Sequence, residues 1–265
     1  MNYKVLCSDL DGTLLSTKDD VSDVTIGEIK RIRTQMRVVL VSARMPSAMY
    51  YLQDRLEIKD QPIICYNGAL ILDGAKELFS NTISHDVLSE VYRMTLSLEI
   101  DMGLYLQDKW FVPKSSKRVE TEIKYTKTRP FFQDTQKTLS DLGLQGAHKV
   151  MLMCTKHGAD YLMPILEINL RDNINIYRSN DTLIELAPKS VSKRSAIEHL
   201  LNPKETMENV IAFGDNYNDI EMLQAAGCGV AVANAREEVK RIADHIALAN
   251  TKDGVADFIR RNILI

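Results

Sequence analysis

With 265 residues, 45% hydrophobic and 26% charged, the chain has the makeup of an ordinary globular protein: one large domain, or a domain with a substantial insertion, with disordered and fibrous classes excluded. A formal net charge of -3 offers no global attraction for nucleic acid or an anionic membrane surface, so a small molecule is the expected partner. Cys7, Cys65, Cys154 and Cys228 lie far apart without zinc spacing and read as core thiols of a reducing compartment, and no apolar stretch approaches the roughly 20 residues of a membrane span. Met1-Asn2-Tyr3-Lys4 runs straight into a strand without room for a signal peptide, so a cytoplasmic location is expected.

The first element in chain order is the strand Lys4 to Ser8, which stops at Asp9-Leu10-Asp11-Gly12-Thr13. A helix is expected over 23 to 35, capped from Asp20 to Ser22, then a strand Val38 to Ser42, a helix 47 to 57 and a strand Pro62 to Tyr66. The same rhythm resumes late in the chain, with strands Asn209 to Gly214, Gly229 to Ala233 and His245 to Ala249, and helices near 218 to 226, 235 to 243 and 253 to 262. Short apolar strands alternating with helices predict an α/β fold, a doubly wound parallel sheet.

Between about Ser84 and Glu185 the rhythm breaks. The pattern there predicts a helix (His85 to Leu98), strands Met102 to Gln107 and Lys109 to Val112, a basic connection from Lys114 to Arg129, and a helix near Gln133 to Leu142. A strand Lys149 to Cys154, a helix Ala159 to Leu170 and closing strands to Leu186 follow. The expected division is therefore a core of 1–83 and 186–265 with an inserted α+β domain over 84–185. The basic connection reads first as a solvated face, and Trp110 first as a packing residue.

In open parallel sheets ligands bind outside the carboxyl ends of the strands. Polar residues stand at those ends: Asp9 and Asp11 after the first strand, Ser42 and Arg44 after the second, Asn67 after the third, Asp215 after the fourth. Asp9 and Asp11 share one side of an extended segment, so one carboxylate can attack while the other handles protons. Gly12 permits a tight turn, and Thr13 can offer hydroxyl and amide to phosphate oxygens. The plain alternative is a hairpin, for which Asp-Gly is the strongest local signal.

A second acidic cluster, Gly214-Asp215-Asn216-Tyr217-Asn218-Asp219, would repel the first unless a cation sat among them, and oxygen-only ligands favour Mg²⁺ over zinc. Ser42 reads either as a helix cap or as a phosphate ligand. Lys193, at the start of a helix where the dipole disfavours a cation, gains a reason from a nearby anion, with Lys189 and Arg194 as competitors.

Four pieces in order, Asp9-Leu10-Asp11-Gly12-Thr13-Leu14, Ser42, Lys193 and Gly214-Asp215-x-x-Asn218-Asp219, resemble the motifs of the haloacid dehalogenase-like (HAD) hydrolase superfamily. The segments CYNGA (65 to 69), SVSKRSAI (190 to 197), GDNYNDIEML (214 to 223), GVAVANAREEVK (229 to 240) and DGVADFI (253 to 259) are similar to its Cof-type phosphatase branch. The resemblance implies a Rossmann-like core, an inserted mobile cap, and a short hairpin-like flap after the first motif. It also implies the roles: Asp9 as nucleophile, Asp11 as general acid and base with its carbonyl reaching the metal, and Ser42, Lys193 and Thr13 on phosphate. Asp215 would share Mg²⁺ with Asp9, Asp219 would support the metal through water, and Asn218 would touch phosphate or orient Lys193. Arg44 and Asn67 would contact substrate, although Ala43 stands where many relatives have glycine.

The implied activity is Mg²⁺-dependent hydrolysis of a small phosphorylated metabolite, a sugar phosphate, by a monomeric enzyme. A sugar phosphomutase is the alternative within enzymes. A phosphorylation-controlled receiver module is the alternative outside them, disfavoured because the acidic pair here sits on the first strand and a long insertion follows.

Overall fold

Val5-Leu6-Cys7-Ser8 forms β1 (Val5–Ser8), buried along its whole length, as expected of a parallel strand covered on both faces. The computed structural model describes residues 3–98 and 100–263; Met1 and Asn2 of the expected lead-in, and the last two residues of the expected core segment, lie outside them. After β1 come α1 (Asp23–Ile32), β2 (Arg37–Val41), α2 (Ser47–Leu56), β3 (Ile63–Cys65), β4 (Leu70–Asp73) and β5 (Lys76–Ser80). The chain continues through α3 (His85–Thr95), β6 (Asp101–Leu106), β7 (Lys109–Val112), α4 (Lys117–Thr126), β8 (Phe131–Phe132), α5 (Thr135–Leu142), β9 (Lys149–Met153), α6 (Lys156–Leu170), β10 (Ile174–Asn180) and β11 (Leu183–Pro188). It closes with α7 (Lys193–Leu200), β12 (Val210–Gly214), α8 (Ile220–Ala225), β13 (Cys228–Val232), α9 (Glu237–Ile242), β14 (His245–Ala247) and α10 (Gly254–Asn262).

The chain divides into two units, one built from the segments up to Leu78 and from Ser192 onward, the other from Phe79–Val191. In the first, one eight-stranded sheet has the order β14-β13-β12-β1-β2-β3-β4-β5. The pairs from β14 through β3 are parallel, and β4 runs antiparallel to β3. Ser8 stands opposite Phe213 of β12 and Leu40 of β2, so the three central strands finish nearly level. Asp9, Ser42 and Asp215 are thereby delivered to one rim, which is the consequence that matters for function. Ser22 caps α1 by accepting from the Thr25 amide at 3.0 Å.

Two Asp-Gly steps take different forms. Asp11-Gly12 lies in a wide loop over 10–14, closed by Leu14 N–H on Asp9 O (3.3 Å) and Leu15 N–H on Leu10 O (3.0 Å), and the expected hairpin-like flap follows as a short turn in which Ser16 N–H (3.1 Å) and Thr17 N–H (3.3 Å) both donate to Asp20 O. Among the described residues no strand pair follows it before α1. The step that does make a β-hairpin turn is Asp73-Gly74, between β4 and β5, two strands the sequence reading passed over. Gly74 takes φ +56°, the left-handed region such turns need.

The second unit holds a six-stranded sheet, β10-β11-β9-β6-β7-β8, antiparallel except where β8 joins β7. Leu88, Val91, Leu104, Val150, Leu162 and Ile184 are among the side chains of its core. The basic connection turns out to contain a helix, α4, capped by Ser116 on the Val119 amide at 3.3 Å. Its charges obscured its period, since they cover the exposed face while Val119 packs inward. Lys114 pairs with Asp101 (3.1 Å) and Arg118 with Glu122 (3.0 Å), so these two charges of the basic run are matched by carboxylates of the same unit. Trp110 is fully buried and stacks on Tyr105, the ring centroids 5.5 Å apart.

Candidate active site

Asp9 is the first residue beyond β1, and its N–H donates to Phe213 O at 3.0 Å, extending the β1–β12 pairing by one step. Its side chain is nearly enclosed, 6% exposed. Against it lies the ammonium of Lys193, which donates to Asp9 Oδ1 at 2.5 Å and to Asp219 Oδ1 at 2.6 Å. Lys193 opens α7 behind a reciprocal Ser192–Ser195 cap. The competitors fall away: Arg194 is on the surface with Glu198, and Lys189 is exposed. A lysine buried at a helix N-terminus is held there by two carboxylates rather than by solvent.

Asp219 is fully buried, and its second oxygen accepts the Asp215 and Asn216 amides at 2.9 and 3.0 Å. It therefore shapes the loop after β12 and at the same time faces Lys193. Asp215 accepts from the Thr13 hydroxyl at 3.1 Å, so the Thr13 side chain is engaged with the acidic cluster. Gly12, at φ +89°, leaves no room for a side chain, because a Cβ would sit 2.5 Å from Asp215 Oδ2. The close approach of the two acidic loops thus depends on that glycine.

Ser42 is buried beyond β2, with its hydroxyl accepting the Arg44 amide at 3.2 Å and its carbonyl accepting the Asn67 amide at 2.9 Å. Asn67, in the left-handed region at φ +56°, offers Oδ1 to Asn218 Nδ2 at 3.0 Å. Asn218 and Asn67 form a pair of their own, while Lys193 is oriented by Asp9 and Asp219. Arg44 grips Asp11 through two parallel bonds, Nε to Oδ2 at 2.8 Å and Nη2 to Oδ1 at 2.7 Å. All ten residues singled out from the sequence lie in the first unit.

Three residues that the sequence reading passed over also position the loops. Asn234 donates to Gly12 O and Asn250 to Leu15 O, each at 2.8 Å, with the Asn250 amide on Asn234 Oδ1. Tyr51 OH accepts from Arg44 Nη1 at 3.2 Å and donates to Asp19 O at 2.6 Å. An asparagine just past a strand was the only local signal, and it reads equally well as a turn residue.

Burial pushes the Asp9 carboxyl well above its usual range, Lys193 pulls it down, and Asp219 and Asp215 push it up again. Asp215 is pushed up to about 6, chiefly by burial and by Asp219. Burial alone would lower Lys193, but Asp219 and Asp9 outweigh it and hold the ammonium charged. Asp9, Asp215 and Asp219 each present an oxygen, all within 4.8 Å of one another. Three carboxylates against one ammonium are short of two positive charges. An oxygen-only set with that deficit fits a hard divalent cation of the Mg²⁺ type.

A family model described as haloacid dehalogenase-like hydrolase matches residues 6–259. The chain belongs to this family. A crystal structure of a haloacid dehalogenase-like hydrolase from Bacteroides thetaiotaomicron superposes with a TM-score of 0.88 at 31% identity, covering 98% of this chain and 99% of that one. The 5-amino-6-(5-phospho-D-ribitylamino)uracil phosphatase of Bacillus subtilis is 27% identical over 97% of this chain and 96% of its own length. The chain spans only 46% of a longer relative, the chloroplastic endoribonuclease YBEY of Arabidopsis thaliana, at 27% identity over 98% of this chain. Membership in a hydrolase family removes the receiver-module reading.

Proposed function

We propose that this haloacid dehalogenase-like hydrolase is a Mg²⁺-dependent phosphatase that cleaves a small phosphorylated metabolite, a sugar phosphate, through an aspartyl-phosphate on Asp9. The observation that carries the reading is the buried contact of Lys193 with both Asp9 and Asp219, beside Asp215. A carboxylate shielded from water yet paired to a fixed cation is suited to attack phosphorus. The phosphoribityl compound named for the Bacillus subtilis relative supports a sugar-like leaving group.

In the first step an Asp9 oxygen forms a bond to phosphorus as the ester P–O bond breaks, and Asp11 passes its proton to the departing alcohol oxygen. In the second, Asp11 takes a proton from water as the water oxygen attacks phosphorus. The P–O bond to Asp9 then breaks, releasing phosphate and restoring the Asp9 carboxylate, with Asp11 protonated as at the start. Lys193, with Ser42, Thr13 and Asn218, holds the phosphoryl oxygens; Asn67 lies beside them on Asn218. Mg²⁺ would be held by Asp9, Asp215 and the Asp11 carbonyl, with Asp219 behind, and when bound supplies neutralising charge at the phosphoryl group. Choice of leaving group and exclusion of bulk water are assigned to the inserted unit, as a cap.

A panel of sugar phosphates incubated with the purified protein tests this. Free phosphate released with Mg²⁺ and suppressed by EDTA is the expected result. An isomeric sugar phosphate without free phosphate would replace the phosphatase with a phosphomutase, and no turnover of any ester would overturn both.

A further inference from the structure

We infer that Arg44, anchored by Tyr51, is a positioning residue that aims the Asp11 carboxyl, and that it does not itself hold substrate. The proposal rests on the reaction proposed above and replaces the substrate contact that the resemblance implies for Arg44.

A guanidinium has five N–H donors in a fixed fork and no acceptor. Here each has a partner: Nε meets Asp11 Oδ2 (2.8 Å), Nη2 meets Asp11 Oδ1 (2.7 Å) and Lys18 O (3.1 Å), and Nη1 meets Tyr51 OH (3.2 Å) and Ala48 O (3.5 Å). No donor remains to receive a phosphate or a sugar hydroxyl. The side chain is 5% exposed, whereas that of Asp11 is 54% exposed. The buried arm is therefore the fixed part, and the carboxylate it grips is the part presented outward.

The grip leaves Asp11 chemically competent. Its two oxygens offer about four lone-pair sites, and Arg44 uses one on each. What the fork removes is rotation, since two parallel bonds fix the plane of the carboxylate where one bond would not. Tyr51 ties the fork to α2 and, through Asp19 O, to the loop that follows the wide turn. A general acid or base works only within hydrogen-bond reach of the atom it serves, so fixing that plane bears on protonation of the leaving group in the first step and on deprotonation of water in the second.

The test compares glycerol 3-phosphate, whose alkoxide needs a proton to depart, with p-nitrophenyl phosphate, whose phenolate leaves as a stable anion. Arg44→Ala is expected to lower kcat/KM, which reports the step that expels the alcohol, on glycerol 3-phosphate by about tenfold or more beyond its effect on p-nitrophenyl phosphate, toward the lower range of general-acid contributions. KM should shift little for either ester. Arg44→Lys, which keeps the charge but loses the fork, and Tyr51→Phe should move the same ratio less, and they carry the test if Arg44→Ala does not fold. Equal losses in kcat/KM on both esters, or a rise in KM with kcat retained, would overturn the assignment and return Arg44 to a structural or substrate-binding role. If wild-type protein releases phosphate from neither ester with Mg²⁺, the phosphatase reading fails first and takes this role with it.

Discussion

Lys193 is the residue on which the site's electrostatics turn, because among the described residues it is the single cation paired with Asp9 and Asp219. Lys193→Met leaves two buried carboxylates without a counter-charge, a loss on the order of 3–5 kcal/mol; urea unfolding of the metal-free variant should show it, alongside abolished turnover. Asp215 predicts a pH effect of definite sign. Its folded value of about 6 lies above that of an unfolded aspartate, so folding favours the protonated form. That stabilisation is present in acid and is lost as pH rises through about 6, and raised Asp9 acts in the same direction. Calorimetry in EDTA should therefore give a Tm difference between wild type and Asp215→Asn that moves against wild type from about pH 4 to 7, with Mg²⁺ reversing it at the upper end. At this scale the sequence showed which residues end strands but not how their donors are used. The five partners of Arg44 come from Asp11, Lys18, Ala48 and Tyr51, and no local spacing reveals that such a side chain has no donor left.

Elements explain why the same dipeptide serves two purposes. Asp73-Gly74 joins β4 and β5 as a hairpin because strand-forming residues flank it on both sides, and nothing lies within 4 Å of a Cβ built on Gly74. Asp11-Gly12 follows a strand already paired on both edges by β12 and β2, so the chain there is committed to leaving the sheet. Gly74→Ala should cost about 1 kcal/mol for its left-handed backbone and leave turnover intact. Gly12→Ala carries a similar backbone penalty and also drives a methyl into Asp215, so both thermal stability and activity should fall; an active Gly12→Ala protein would deny the close approach its role. The elements the sequence hid were those whose pattern is masked by charge or brevity, α4, β8 and β4–β5. The βα alternation was legible because buried parallel strands read as uninterrupted apolar runs.

On the scale of the whole molecule, one consequence of the register outweighs the rest. Parallel strands β12, β1 and β2 end together, so residues far apart in the chain, from Asp9 to Asp219, converge without any of them leaving a strand end or a helix start. The catalytic unit was legible for that reason, since the rule that ligands sit at carboxyl ends needs only strand boundaries. The inserted unit gave up its α+β character but not the arrangement of its side chains, because these are brought together by a sheet whose order cannot be read from strand patterns. The central claim is that Asp9 becomes covalently phosphorylated. Rapid acid quench of the protein with acetyl phosphate and Mg²⁺, followed by peptide mass analysis, should place a phosphoryl group on Asp9, with none on a folded Asp9→Asn variant that has also lost turnover. Full turnover by Asp9→Asn, or a phosphoryl group trapped on another residue, would contradict the account.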